Sequence, residues 1–200
     1  MTLLLILATV GLSWYAFERP RLLDRLLLWP PAIRRDHQYD RFVTHGFVHA
    51  DWQHLAFNMI TLYFFGRLVE RWFTPYLGSL GFVLFYLSAI VVAMLPSYLK
   101  HYNDPKYRSL GASGAVSAVL FIFVLAAPWS LIFVFFVPIP AILYAVLYVG
   151  YSLWAERRGG DNINHSAHLA GAAYGVLFTL IMEPDVAAGF LEKLMSPSFG

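Results

Sequence analysis

Gly111-Ala-Ser-Gly-Ala-Val-Ser-Ala-Val-Leu-Phe-Ile-Phe-Val-Leu-Ala-Ala127 is an uncharged, apolar run that opens on a serine held between glycines. Its length and composition predict a membrane-spanning helix. The serine stands at the N-terminus of that helix, where unpaired backbone N–H groups and the positive end of the helix dipole would stabilise a developing oxyanion. The glycines on both sides allow a carbonyl to approach closely. A serine hydroxyl is a poor nucleophile until a base takes its proton, so the run raises the question of where such a base lies.

Composition around this run says membrane. Apolar residues make up 59% of the 200 residues and charged ones 13%, against roughly 45–50% and about 25% in a soluble domain. The chain has no cysteine, which excludes disulfides, thiolate nucleophiles and cysteine metal sites. A formal net charge of +2, with arginines scattered among apolar runs, does not suit a nucleic-acid partner.

Six spans are expected, at about 2–17, 55–73, 77–95, 111–127, 132–154 and 165–182, in a single domain covering residues 1–200. Met1 to Phe17 lacks a leading Lys or Arg and a following small-x-small site, so it reads as a first span rather than a secretory signal. Residues 18–53 form a long loop with six arginines, and Arg21-Leu-Leu-Asp-Arg-Leu-Leu-Leu-Trp29 has the alternation of a helix lying in the interface. Pro96 is expected to close the third span, and Pro138 and Pro140 to kink the fifth. The small and polar residues of spans two, four and six place those three at the centre. Gly171-x-x-x-Gly175 and Gly114-x-x-Ser117 are read as close helix packing.

A polar side chain within a span is costly, on the order of 2.5–3.5 kcal/mol for a charge at the helix centre, so each is a functional candidate. His54 and Asn58 lie four apart and share one face of the second span; Ser113 opens the fourth; His168 sits one turn into the sixth. Within spans, only His54 and His168 could serve Ser113 as base. No Asp or Glu lies in span four, or in span six before Glu183, so the arrangement would be a Ser-His dyad without a carboxylate. Metal binding by His45, His49, His54, His165 and His168 is disfavoured: His49 and His54 are five apart, about 500° around a helix, and no Glu-containing His-Glu-x-x-His motif is present.

These residues resemble the rhomboid proteases. Gly111-Ala-Ser113-Gly114 matches the family's Gly-x-Ser-Gly, Ala167-His168-Leu-Ala-Gly171 its Ala-His-x-x-Gly, and His54-Leu-Ala-Phe-Asn58 its His-x-x-x-Asn, in order and spacing, across Arg41 to Gly175. The resemblance implies an all-α, six-transmembrane-helix bundle and an intramembrane serine endopeptidase that cuts in or near the transmembrane segments of single-span membrane proteins, with no cofactor and no metal. It implies Ser113 as nucleophile, His168 as base and then acid, and His54 and Asn58 as oxyanion donors beside the Ser113 N–H. Arg41 and His49 would hold the first loop, and the loop from Ala155 to Asn164 would cap the site. The chain departs from the pattern at Asp40-Arg41, where the family often has Trp-Arg, and at Ser117, where it often has an aromatic.

The rival function is a catalytically silent rhomboid-like protein that binds transmembrane helices; silent members are expected to lack the serine or the histidine, and this chain has both. A metal-dependent hydrolase would be told apart by a chelator. The resemblance implies a bacterial inner or cell membrane, with the three long loops on the extracytoplasmic side. The Lys and Arg residues oppose this, because those loops hold eleven of them, and the positive-inside rule would invert the chain. We follow the resemblance, since several of the arginines lie in an interfacial segment where phosphate can hold them.

Overall fold

The computed structural model describes residues 1–134 and 136–197. Phe135, within the expected fifth span, and residues 198–200, within the expected domain, lie outside the described residues. Among the described residues ten α-helices and two strands follow in order: α1 Thr2–Phe17, α2 Pro20–Leu26, α3 Pro30–Asp36, α4 Arg41–Thr44, α5 Trp52–Thr61, α6 Arg67–Lys100, α7 Ser113–Ala126, β1 Leu131–Val134, β2 Val137–Pro140, α8 Ala141–Arg158, α9 His165–Met182 and α10 Asp185–Met195. A 3-10 turn, His45–Phe47, follows α4, and a π-helical stretch, Leu62–Gly66, joins α5 to α6.

Burial identifies the centre. Eleven of the fourteen residues of α7 are buried, and α9 and the second half of α6 pack against it. Small residues make this possible. A Cβ on Gly171 of α9 would come 1.9 Å from the Gly114 carbonyl oxygen, and one on Gly175 2.3 Å from that of Ala118. The second span reaches this centre as expected, with Leu55, Met59, Leu62, Val69 and Phe73 buried, and the third joins it with Phe82, Phe85, Tyr86, Ala89 and Ile90. On α1 the buried residues Thr2, Leu5, Thr9, Ser13 and Ala16 recur every three or four positions, while Leu3, Leu4 and Leu7 face outward.

Several expected boundaries move for identifiable reasons. The break between the second and third spans falls at Gly78, whose φ of 67° is open to glycine, and not around Pro75, which stays helical. Pro96 likewise stays inside α6, which continues to Lys100; His101 N–H donates to the Ser97 carbonyl at 3.0 Å. The fifth span does not begin at Ile132. Leu131–Val134 and Val137–Pro140 pair as antiparallel strands in which Phe133 faces Pro138 and Leu131 faces Pro140, because a two-stranded ribbon is all edge and tolerates prolines that a helix interior does not. No kinked helix results; α8 starts only after Pro140 and runs to Arg158. Among the described residues two helices, Leu80–Lys100 and His165–Met182, are long and apolar enough to cross a membrane, with Thr2–Phe17 and Ser113–Ala126 as shorter apolar helices. Length and hydropathy thus mark fewer clear spans than the six expected.

In the long loop the helix expected over Arg21–Trp29 is α2, which ends at Leu26, and α3, α4 and the 3-10 turn follow it, cinched by the buried Arg41. Arg41 donates to the carbonyls of Asp24 at 2.7 Å and Leu27 at 2.6 Å, and through Nε to Gln38 at 2.7 Å. Leu28 and Ser109 exchange backbone hydrogen bonds at 2.9 and 3.2 Å, which ties this segment to the loop leading into α7.

Candidate active site

Ser113 is the first residue of α7, so its hydroxyl stands where the helix still has unpaired N–H groups. His168 lies in the first turn of α9, which Asn164 caps by accepting from Ala167 N–H at 3.0 Å. The close approach of α7 and α9 brings His168 Nε2 to 2.8 Å from Ser113 Oγ. At that distance Nε2 accepts the serine proton only if the ring proton is on Nδ1, which makes the neutral ring competent as a base.

His54 and Asn58 sit on α5 and face the same cleft of about 1240 Å³ as Ser113 and His168. Asp51 caps α5 by accepting from the His54 N–H at 2.7 Å. The His54 ring lies against Gly111, where an added Cβ would fall 2.5 Å from its Cε1; Gly111 also has φ of 114°, so glycine is required twice over. Asn58 spends one amide proton on the His54 carbonyl at 2.9 Å, and the other has no described partner.

Buried polar chains support the serine turn from behind. Ala112 N–H donates to His49 Nε2 at 3.3 Å, which puts the His49 proton on Nδ1; that proton faces Ser13 Oγ at 3.0 Å, and Ser13 donates to the Phe47 carbonyl at 3.1 Å. Burial, with His54 close by, pushes the pKa of His49 down to about 3, and burial pushes that of His45 down to about 4, so both are neutral near pH 7. Arg41 and His49 thus hold the first loop. The capping loop is shorter than expected, since Ala155 to Arg158 belong to α8.

Sequence reasoning passed over two residues. Asn164 gathers Ser97, Tyr107, Ser109 and Ala167 around one amide, and its position just before the helix that carries His168 is a capping signal that could have found it. Tyr148 of α8 faces His168, and nothing distinguishes it in the sequence from the other aromatic residues of an apolar helix.

Residues 36–184 match the family profile of the Rhomboid domain. The chain belongs to the rhomboid family. Among curated relatives, this rhomboid is 32% identical over 187 residues to RHOMBOID-like protein 12, mitochondrial, of Arabidopsis thaliana, covering 86% of the chain and 55% of that protein. It is 37% identical over 174 residues to Rhomboid-like protein 11, chloroplastic, of the same plant, covering 79% and 58%. It is 26% identical over 159 residues to Rhomboid protease GlpG of Haemophilus influenzae, covering 78% and 76%. The chain spans a little over half the length of the two plant relatives. Rhomboids are integral membrane proteins. Relatives named for mitochondria and chloroplasts as well as for bacterial proteases give no support to the expected bacterial inner membrane, and that assignment is dropped.

Proposed function

We propose that this rhomboid is an intramembrane serine endopeptidase, with Ser113 as nucleophile and His168 as general base and acid. The observation that carries the proposal is the 2.8 Å contact between Ser113 Oγ and His168 Nε2 at the wall of the cleft. Ser113 Oγ attacks the scissile carbonyl carbon while Nε2 takes its proton, and the charge moves to the carbonyl oxygen. Collapse breaks the C–N bond, and the proton on Nε2 passes to the leaving amine. Water then attacks the acyl-enzyme with His168 again as base, releasing the second product and restoring Ser113. The N-terminal amides of α7, His54 and the remaining Asn58 amide proton are the donors available to the oxyanion.

The substrates are single-span membrane proteins. A substrate helix must unwind locally before its carbonyl can meet Ser113, so helix-weakening Gly or Pro near the cut favours cleavage. The loops around the cleft face the extracytoplasmic side. The charge rule weighs less against this because part of the positive charge is paired: Arg25 with Asp40 at 2.8 Å, Lys100 with Glu156 at 2.6 Å and Arg108 with Asp24 at 3.7 Å.

The test is cleavage of a single-span substrate by purified protein in detergent, with a chelator present, alongside labelling by a fluorophosphonate. The parent cuts and is labelled; Ser113→Ala and His168→Ala do neither. Cutting by Ser113→Ala at the parent rate would overturn the proposal, as would a parent protein that neither cuts nor labels.

A further inference from the structure

His168 is a base with no carboxylate behind it. Its Nε2 is engaged by Ser113, and among the described residues nothing hydrogen-bonds Nδ1. A ring held at one nitrogen is free to swing about its broad χ2 torsion, so its aim must come from packing. Two rings supply it. His165 stands edge-on, with centroids 6.0 Å apart at 79°, and Tyr148 of α8 lies nearly parallel, 6.1 Å away at 24°, in the range of an offset stack.

We propose that Tyr148, anchored by Ser117, is the positioning residue that keeps the His168 imidazole aimed at Ser113. The proposal rests on the reading of Ser113 and His168 as the dyad. The Tyr148 hydroxyl lies 2.6 Å from Ser117 Oγ, and Ser117 Oγ lies 2.8 Å from the Ser113 carbonyl oxygen. The directions are determined. Ser117 has one proton, and a carbonyl can only accept, so that proton goes to Ser113; the Tyr148 O–H must then donate to the Ser117 lone pair. The chain of donors runs from the platform under the base, through Ser117, to the backbone of the nucleophile itself. It therefore fixes the Tyr148 ring relative to the turn of α7 that carries Ser113.

The ring cannot easily tilt away. Phe121 of α7 packs 5.6 Å from it and Tyr144, one turn earlier on α8, 5.8 Å. Nor is a larger side chain at position 117 compatible with the arrangement, since it would occupy the place of the phenol. Nucleophile, base and platform thus come from three different helices, α7, α9 and α8, and the hydroxyl pair is the polar tie between the first and the third.

Two rival roles for Tyr148 are separable from positioning. A ring that only lines the cleft for substrate would matter to KM for a protein substrate and not to a small probe. A ring that only fills space would lower thermal stability and the fraction of active sites, with normal rates in those that remain. Positioning changes the rate per active site even for a fluorophosphonate, because that reaction needs the activated serine and no peptide contact.

The experiment measures fluorophosphonate labelling rate per titrated site, kcat and KM for a single-span substrate, and thermal unfolding, in full-length protein. Tyr148→Leu is expected to slow labelling and kcat by on the order of 10²-fold, the cost of a misplacement of about 1 Å, with KM little changed. Tyr148→Phe and Ser117→Ala keep the ring and lose the tie, so both slow labelling less than Tyr148→Leu and to a similar extent as each other. These two conservative variants decide the matter if Tyr148→Leu does not fold. Labelling of all three at the parent rate, with Ser113→Ala and His168→Ala inactive, overturns the platform and leaves the dyad standing. Parent-like activity in His168→Ala shows instead that the dyad reading has failed.

Discussion

Gly171 and Gly114 are in backbone contact: a Cβ on the first would lie 1.9 Å from the carbonyl oxygen of the second. Gly114 follows Ser113, and Gly171 lies one turn beyond His168 on the same side of α9. The distance between the two helix axes at this level therefore sets whether Nε2 reaches Oγ. Backbone atoms on both sides leave no flexible side chain to yield, so a methyl group must move a whole helix.

Gly171→Ala is accordingly expected to push α9 from α7, to destabilise the protein by about 1–3 kcal/mol, and to cut kcat by as much as ~10²-fold through the lost Ser-His contact. Gly150→Ala is the control: Gly150 lies within α8 with nothing near its missing Cβ, and alanine there should leave stability equal or slightly raised. Fluorophosphonate labelling and thermal unfolding read both. Full activity and an unchanged melting temperature in Gly171→Ala would show that the helices have slack at this level.

Asn164 is expected to be a stability hub. Its Oδ1 accepts from Ser97 Oγ at 2.7 Å and from Ala167 N–H, while its Nδ2 donates to Tyr107 Oη at 2.9 Å and Ser109 Oγ at 3.2 Å. Asn164→Asp keeps the acceptors and loses the donors; Asn164→Leu loses all of them. Each buried partner left unpaired costs about 1–3 kcal/mol, so the melting temperature should fall in the order parent, Asp, Leu. Equal melting temperatures for parent and Leu variant would remove Asn164 from this role.

How much of this was legible depends on the kind of signal. The bounds 2–17 and 165–182 coincide with those of α1 and α9 because each is a mostly apolar stretch that stops at a glutamate, Glu18 or Glu183. The Pro138-x-Pro140 stretch misled because a purely apolar run gives no period, and hydropathy alone does not tell a hairpin from a helix. Around the site, Ser113, His168, His54 and Asn58 could be named because a polar residue in an apolar run stands out. Tyr148 could not, since an aromatic residue is ordinary in an apolar helix and only three-dimensional packing gives it a task; of Asn164 the sequence shows the capping position but not the partners gathered around its amide. Ser117 is the instructive case. Its position lacks the aromatic residue often found there in the family, and a ring from 31 residues further along faces His168 in this chain.

Acid should unfold this protein through its two buried loop histidines. The His49 and His45 pKa values lie at about 3 and about 4 in the fold and near 6.5 in an unfolded chain. Between those limits the unfolded state binds more protons, so stability is full above about pH 6.5 and is lost as pH falls towards about 4. The loss is on the order of a few kcal/mol per histidine. Protonation of His49 also removes the acceptor for Ala112 N–H, next to Ser113. Thermal unfolding between about pH 7.5 and about pH 4.5 should show the decline, and His49→Gln, which accepts and donates without titrating, should flatten it. Parallel pH profiles for parent and variant would sink the assignment to His49.

The oxyanion donors are open to a test of role rather than presence. Asn58 is buried, and one of its amide protons is already committed to the His54 carbonyl; His54 is held at the cleft between Gly111 and the His49 ring, whose centroid lies 4.9 Å away. If both donate to the oxyanion, the interaction exists mainly in the transition state, so His54→Ala and Asn58→Ala should each lower kcat by as much as ~10²–10³-fold. KM should barely move. A structural role predicts a different pattern, with lower melting temperature, fewer active sites and normal turnover in those that remain. Asn58→Asp sharpens the contrast for the second residue: it preserves size and removes the donor, and at neutral pH it places a negative charge where the oxyanion would form. It should therefore be at least as slow as Asn58→Ala. Active-site titration of each variant beside thermal unfolding separates the two roles. Normal turnover per titrated site in both alanine variants would leave the N-terminal amides of α7, chiefly that of Ser113, as the groups that hold the oxyanion.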